Sequence, residues 1–419
     1  MKVLIKNAKI ISSSSPHDGH FIDILIENGI IARVDKHINS SAEQIIEAKG
    51  LHVSAGWMDC FANFCDPGDE FKETLQTGAN AAAAGGFTEV MLVPNTKPVI
   101  DNKSQVEYII NMGKQLPVTF HVIGSITKNA QGKELSEMYD MQNTGALAFS
   151  DGINSLHSSG IMLKALQYVL PFDGTIIQLP DDKNIGANGL MNEGITSTKL
   201  GLPGKPAIAE ELLIARDIEL VKYTGSKIHF TGISTKRSLE LISQAKEDGL
   251  QVTCSVTPYH IFFCDEDLAT YDTNLKVDPP LRTKKDMLAL REGVKNGLID
   301  FIASHHQPQD WDCKTCEFEY AKNGMTGLES LFGVMGICNI KIADFVKMQS
   351  EHIRKIFNLP VPEIKEGTKA NFTLFIPDIE YVFSEENIYS KSKNNAFIGK
   401  KLKGKTIGII NGEKVFLNK

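Results

Sequence analysis

The sequence predicts an α/β fold, a closed barrel of eight parallel strands with a small β-domain built from both chain termini. Three observations carry this prediction. Through the middle of the 419-residue chain, eight short β-rich runs alternate with helical stretches. Parallel strands need such crossovers, and eight units over about 250 residues is the size of a TIM (β/α)8 barrel. Residues 1–54 and 366–419 read differently, as strands with hairpin turns, so the two ends combine into one unit around a barrel at 55–365. No Gly-x-Gly-x-x-Gly follows the first strand, which argues against an open doubly wound sheet.

Taken in order, VLIKNAKII leads to FIDILIENGIIARVD, where Asn28-Gly29 signals a two-residue hairpin. The barrel runs are 57–64, 88–93, 118–123, 146–150, 175–179, 227–233, 251–256 and 300–304, each short and apolar as buried parallel strands are. Helical stretches fill 73–84, 105–115, 155–168, 207–223, 236–247 and 285–296, and the first runs through four alanines to a glycine stop at Gly85-Gly86. At the far end ANFTLFIPD and TIGIINGEKVFLN form further strands, with Asn411-Gly412 as another hairpin turn.

Composition narrows the function classes. Apolar content of 42% and charged content of 23% are those of an ordinary globular chain. A formal charge of -7 argues against nucleic acid, whose backbone demands a basic face. Lys6 and Lys9 interrupt the apolar start, so it is not read as a signal peptide, no apolar run is long enough to span a membrane, and the cytoplasm is expected. Seven cysteines do not make a disulfide framework. Cys313 and Cys316 lack a second pair, since Cys338 stands alone, and are read as loop thiols.

Barrel chemistry sits at the C-terminal ends of the strands. Here those ends hold Phe61, Asn63 and Cys65; Asn95; Asp151; Gln178; Gly232; and His305-His306. Alternation places Asp59 deeper in the barrel than Phe61 and Asn63, and turns His229 toward the helices as a hydrogen-bonded buried residue.

The segments MDCFANFCDPGDEFKETLQTGANAAAAGGFTEVMLVPNTKPVID, GALAFSDG, MNEGITSTKLGLPGKPAIAEE, VTPYHIFFCDEDLATYDTNLKVDPPLRT, GMTGLES and SKSKNNAFIGKKLKGK resemble, in order, landmarks of the dihydroorotases and their allantoinase and dihydropyrimidinase relatives. The resemblance covers nearly the whole chain and implies a barrel of amidohydrolase type. It also implies reversible cyclisation of carbamoyl-aspartate to dihydroorotate, by a water held between divalent metals. The family's metal positions fall on Phe61 and Asn63 for His-x-His, Gln178 for the fifth-strand His and Gly232 for the sixth-strand His. The proton-shuttling Asp falls on His305, and Asp151 is what remains of the acidic bridge. Of the substrate contacts the resemblance implies, Asn95 and His306 are retained, the arginine is Cys65, and Asn-Pro-Pro-Leu-Arg begins with Asp278. Arg282, closing that motif, is read as a surface-loop ion pair. Asp66-Pro67-Gly68 is read as a turn, Glu73-Thr74 as the first turn of the first barrel helix, and Ser234-Thr235 as the cap before Lys236.

Phenylalanine and glycine offer zinc no lone pair, and neutral carboxamides are weak ligands for it. Without a metal, the pKa of a bound water returns from near 7 to about 15.7, roughly 12 kcal/mol of lost activation. A histidine acting as general acid or base restores only about 10²- to 10⁴-fold. The expectation is therefore a non-catalytic homologue without a cofactor. It would associate as a homo-oligomer and as a structural or regulatory partner of aspartate transcarbamoylase or an active dihydroorotase. Two alternatives stay open: an active cyclic amidohydrolase with zinc rewired onto Asp151, His305 and His306, and a protein that binds a pyrimidine intermediate.

Overall fold

The computed structural model describes residues 1–13 and 15–419. Eight parallel strands follow one another around a cylinder in chain order: Trp57–Ala62, Phe87–Leu92, Thr119–Gly124, Ala146–Phe149, Ile176–Gln178, Ile228–Phe230, Val252–Val256 and Phe301–Ile302. All eight predicted runs are strands. The six predicted helical stretches are helices as well, at Leu75–Ala84, Lys103–Gly113, Ser159–Val169, Ile208–Thr224, Lys236–Glu247 and Lys284–Lys295.

Caps set where these helices begin. Thr74, Asn102, Ser158, Thr235 and Thr283 each accept a hydrogen bond from a first-turn backbone N–H, so the helices start one residue later. Met138–Thr144, between the third and fourth strands, is not among the predicted stretches; at 7 residues it carries too few turns to display a period.

The ring closes differently at its seam. Between the first and eighth strands no continuous ladder runs among the described residues. One backbone bond joins Asn63 N–H to the His306 carbonyl (2.9 Å). Below it, Asp59 accepts from the Ser304 N–H (2.8 Å) and hydroxyl (2.6 Å). Deeper still, the Gln349 carboxamide accepts from Ile302 N–H (3.0 Å) and donates to the Ile302 carbonyl (3.0 Å) and Met58 carbonyl (3.4 Å). Buried side chains replace the missing strand pairing there.

The second sheet draws on both ends of the chain. Its order is Lys414–Leu417, Lys401–Asn411, Asn371–Val382, His52–Ala55, Lys2–Ile11, Phe21–Glu27 and Ile30–Asp35, with Gln44–Ile46 also beside Lys2–Ile11. Neighbours are antiparallel except where Lys2–Ile11 meets Gln44–Ile46 and His52–Ala55. Val3, Ile5, Ile24, Val53, Phe372, Leu374 and Ile410 form its buried face. Trp57 ties it to the barrel, packing its ring on Phe332, Phe345 and Phe375 at 4.9, 4.9 and 5.2 Å. No helix among the described residues is long and apolar enough to cross a membrane.

Candidate functional site

A cavity of about 290 Å³ opens at the C-terminal ends of the strands, bordered by Phe61, Leu179, Tyr259, Asp278, His305 and Gln307 among others. Its centre is one interlocked group. The first strand ends with Phe61 at φ +73°, which carries the ring over the mouth, and the eighth leaves through His305 at φ +43°. The two rings stack at 4.6 Å and 30°. Gly232, at φ +66°, completes the fit: a Cβ there would lie 2.4 Å from His305 Cε1. The imidazole of His305 therefore fills the space that a side chain at 232 would need. Burial, with His260 nearby, pushes His305 down to about 3, so the ring is neutral and hydrogen-bonds Thr231 Oγ1 through Nε2 at 2.7 Å.

Other predicted residues lie elsewhere. Gln178 does not face the mouth. Its Oε1 accepts from the Leu156 N–H and its Nε2 donates to the Leu156 carbonyl, both at 3.3 Å. The fifth-strand position that borders the cavity is the next residue, Leu179. Asp151 is turned to Thr127, accepting from its N–H (2.8 Å) and hydroxyl (2.5 Å), while burial raises its pKa. Asn95 holds the neighbouring loop, donating to the Asp151 carbonyl (3.0 Å) and accepting from Ile153 N–H (2.9 Å). Asn63 accepts from Cys65 N–H (2.8 Å), and burial pushes the Cys65 thiol up to about 12.

His306 points away from its neighbour His305. It lies 3.4 Å from Glu73, fully buried, and accepts from Gly327 N–H (3.3 Å). Glu73 precedes the first helix rather than sitting in its first turn, because Thr74 is the cap. Glu73 also accepts from Thr77, Ser390 and Lys391 N–H. Burial alone would raise its pKa, but His306, Ser390 and Thr77 together hold it below the usual carboxylate range. Sequence reading missed this residue, because its partners are some 230 and 317 positions away.

Arg282 is buried, not a surface pair. It donates to Ser234 Oγ (3.0 Å), Asn192 Oδ1 (3.2 Å) and the Lys205 carbonyl (2.8 Å). Asp278 does reach the cavity, where Lys205 bridges it (2.8 Å) to Asp181 (2.7 Å). His229 is buried and hydrogen-bonded as expected, yet it faces the barrel interior, bonding Thr253 (2.9 Å) and Ser255 (3.0 Å). The strand ends at Phe230 and Gly232 turns with positive φ, so alternation does not carry from 229 to 232. Cys313, Cys316 and Cys338 are free thiols.

Comparison with known proteins bears on this geometry. Residues 52–238 match the family model described as Dihydro-orotase-like. A protein named dihydroorotase from Syntrophus aciditrophicus is 37% identical over 417 residues, covering 97% of each chain. Another from Caldanaerobacter subterraneus subsp. tengcongensis is 40% identical over 413 residues, covering 96% of this chain and 94% of its own. Among solved structures, the L-hydantoinase (dihydropyrimidinase) of Arthrobacter aurescens superposes with a TM-score of 0.85 at 23% identity, covering 100% of this chain and 96% of that one. A D-hydantoinase superposes at 0.80 and 20% identity, covering 100% and 95%. These two likenesses concern the fold alone, the eight-stranded barrel with its added sheet. With sequence identity of this order along almost its whole length, the chain belongs to the dihydroorotase-like family.

Proposed function

We propose that this chain is a dihydroorotase homologue that does not turn over substrate and that serves as a structural or regulatory partner in pyrimidine biosynthesis. One observation carries the reading: the Phe61–His305 stack is seated against Gly232, where the family places metal ligands. Phe61 and Gly232 supply no donor atom, the carboxamides of Asn63 and Gln178 are bonded to Cys65 N–H and to Leu156, and both Asp151 oxygens are taken by Thr127. The residues at this mouth do not fit a catalytic zinc, whose sites use three protein ligands and a water.

Elemental analysis of untagged protein, alongside assays with dihydroorotate and carbamoyl-aspartate, tests this reading. The expected result is substoichiometric metal and no turnover. One zinc or more per chain, with activity abolished by a chelator, overturns it. The partners proposed are aspartate transcarbamoylase or an active dihydroorotase, with self-association in addition. Co-purification from native cells should retain such a partner, and recovery of the protein alone at every salt concentration counts against it.

The full-length identity to proteins named dihydroorotase favours a second reading, an active cyclic amidohydrolase with zinc rewired onto Asp151, His305 and His306. That reading needs three side chains to converge that now turn to Thr127, Thr231 and Glu73. Binding of a pyrimidine intermediate in the mouth is the third reading, which the cavity itself favours. Titration of the melting temperature with dihydroorotate and carbamoyl-aspartate separates it, since a ligand of the folded state must raise that temperature.

A further inference from the structure

A continuous line of hydrogen-bonded side chains crosses the inside of the barrel. His305 Nε2 meets Thr231 Oγ1 (2.7 Å), and Ser255 Oγ donates to Thr231 Oγ1 (3.1 Å). His229 Nε2 meets Ser255 Oγ (3.0 Å), and His229 Nδ1 meets Thr253 Oγ1 (2.9 Å). At one end His305 borders the mouth cavity. At the other, Thr253 borders a second cavity of about 370 Å³ on the barrel floor, with Lys227 and Lys355.

We propose that these five residues form one proton wire between mouth and floor, in which the two imidazoles hold opposite tautomers and the mouth presents an N–H donor. A hydroxyl has one proton to donate. Ser255 spends its proton on Thr231, so it accepts from His229 Nε2–H. His229 Nδ1 then accepts from Thr253. Thr231 accepts from Ser255 and still has its own proton to donate, for which His305 Nε2 is the partner in reach, so the single proton of the neutral His305 ring sits on Nδ1. That nitrogen has no partner among the described residues, and its ring borders the cavity. Burial keeps both imidazoles neutral, each pushed down to about 3, so the wire can hold either direction without gaining charge.

An occupant of the mouth that accepts a hydrogen bond fits this direction. An occupant that donates to His305 Nδ1 reverses every link. His305 then gives its Nδ1 proton to water at the mouth and takes the Thr231 proton on Nε2. Thr231 takes the proton of Ser255, Ser255 that of His229 Nε2, and His229 Nδ1 that of Thr253. Thr253 is refilled from water at the floor. One proton passes across the barrel and no residue changes charge. The wire is independent of whether the chain turns over substrate.

Long-range ¹H–¹⁵N correlation of the full chain labelled in histidine tests the proposal, with His229→Gln and His305→Gln used for assignment. The expected pattern is His305 protonated on Nδ1 and His229 on Nε2. Identical tautomers, or an imidazolium in either ring at neutral pH, overturn it. Ser255→Ala cuts the wire at its middle and should let each ring relax to a mixture of tautomers, whereas Ser255→Thr keeps the hydroxyl and the pattern. Unchanged spectra in a folded Ser255→Ala protein also overturn it. Should that variant not fold, the wild-type tautomers and Ser255→Thr remain decisive.

Discussion

The centre of the barrel mouth and its rim come from the same strand ends, yet they use polar atoms in opposite ways. At the centre, Phe61, Leu179, Gly232 and a neutral His305 leave little with which to grip an ion. Around it, Glu73, His306, Arg282, Asp151 and Asn95 are all engaged, each hydrogen-bonded to another part of the protein. The contrast teaches that a charged or hydrogen-bonding residue kept near a cavity is not thereby kept for a ligand. Rim polarity holds loops in place. The centre is walled by packed rings.

The sharpest way to break this contrast is Glu73→Gln, which removes the charge from a buried junction of the first helix, the eighth-strand loop and Ser390. Urea unfolding should report a loss on the order of 2–3 kcal/mol, the cost of losing hydrogen bonds to a buried carboxylate. The same experiment has a pH arm. Because the folded pKa of Glu73 lies below its ordinary 4.5, its contribution is present above that value and lost as pH falls through the folded one. A variant of wild-type stability across this range removes the rim from its structural role.

Asp59 at the seam behaves in the opposite sense. Burial raises its pKa from 3.8 to about 7, against the lowering effect of the Ser304 bonds. Stability from this group is fullest below 3.8 and is lost as pH rises toward about 7. Asp59→Asn should flatten the stability profile between those limits, an effect bounded by one proton. An unchanged profile shows that Asp59 stays ionised throughout.

At the centre, Gly232→His forces a side chain into the His305 ring and should cost about 1–3 kcal/mol by overpacking, with no gain of zinc. Adding His305→Asp makes room and should recover part of that loss. Stability unchanged in the single variant dissolves the interlock. The smallest effect is expected for Gln178→Ala, which leaves the Leu156 N–H and carbonyl without partners at a cost of about 1–2 kcal/mol. Thermal-shift responses to mouth ligands should be the same as in the wild type. A changed response returns Gln178 to the site.

The barrel was legible because strand and helix periods differ and are repeated eight times. The helix starts were legible to within a few residues, since Thr74, Ser158 and Thr235 cap locally. At the mouth, Phe61, Gly232 and His305 could be located from motif order alone. Their mutual fit could not, because it depends on a contact between residues 232 and 305. Nor could the turn of the Gln178 side chain to Leu156, which leaves Leu179 to border the cavity, because it depends on a contact between residues 156 and 178. Arg282 was misread for a different reason: a charged residue in a loop looks exposed until Ser234 and Asn192 arrive from distant segments, and Glu73, read as part of the first helical turn, gave no local sign of its bond to Ser390. Nothing local marks Gln349 as the residue that laces the barrel shut.

His52–Ala55 leads directly into the barrel, yet its sheet partner Asn371–Val382 is synthesised only after the barrel has been completed. During translation this edge must wait, its amides and carbonyls unpaired, while some 300 intervening residues emerge and fold. Strands made after the barrel thus finish a layer begun before it, and a nascent chain halted before residue 371 would carry an open edge ready to pair with a neighbour.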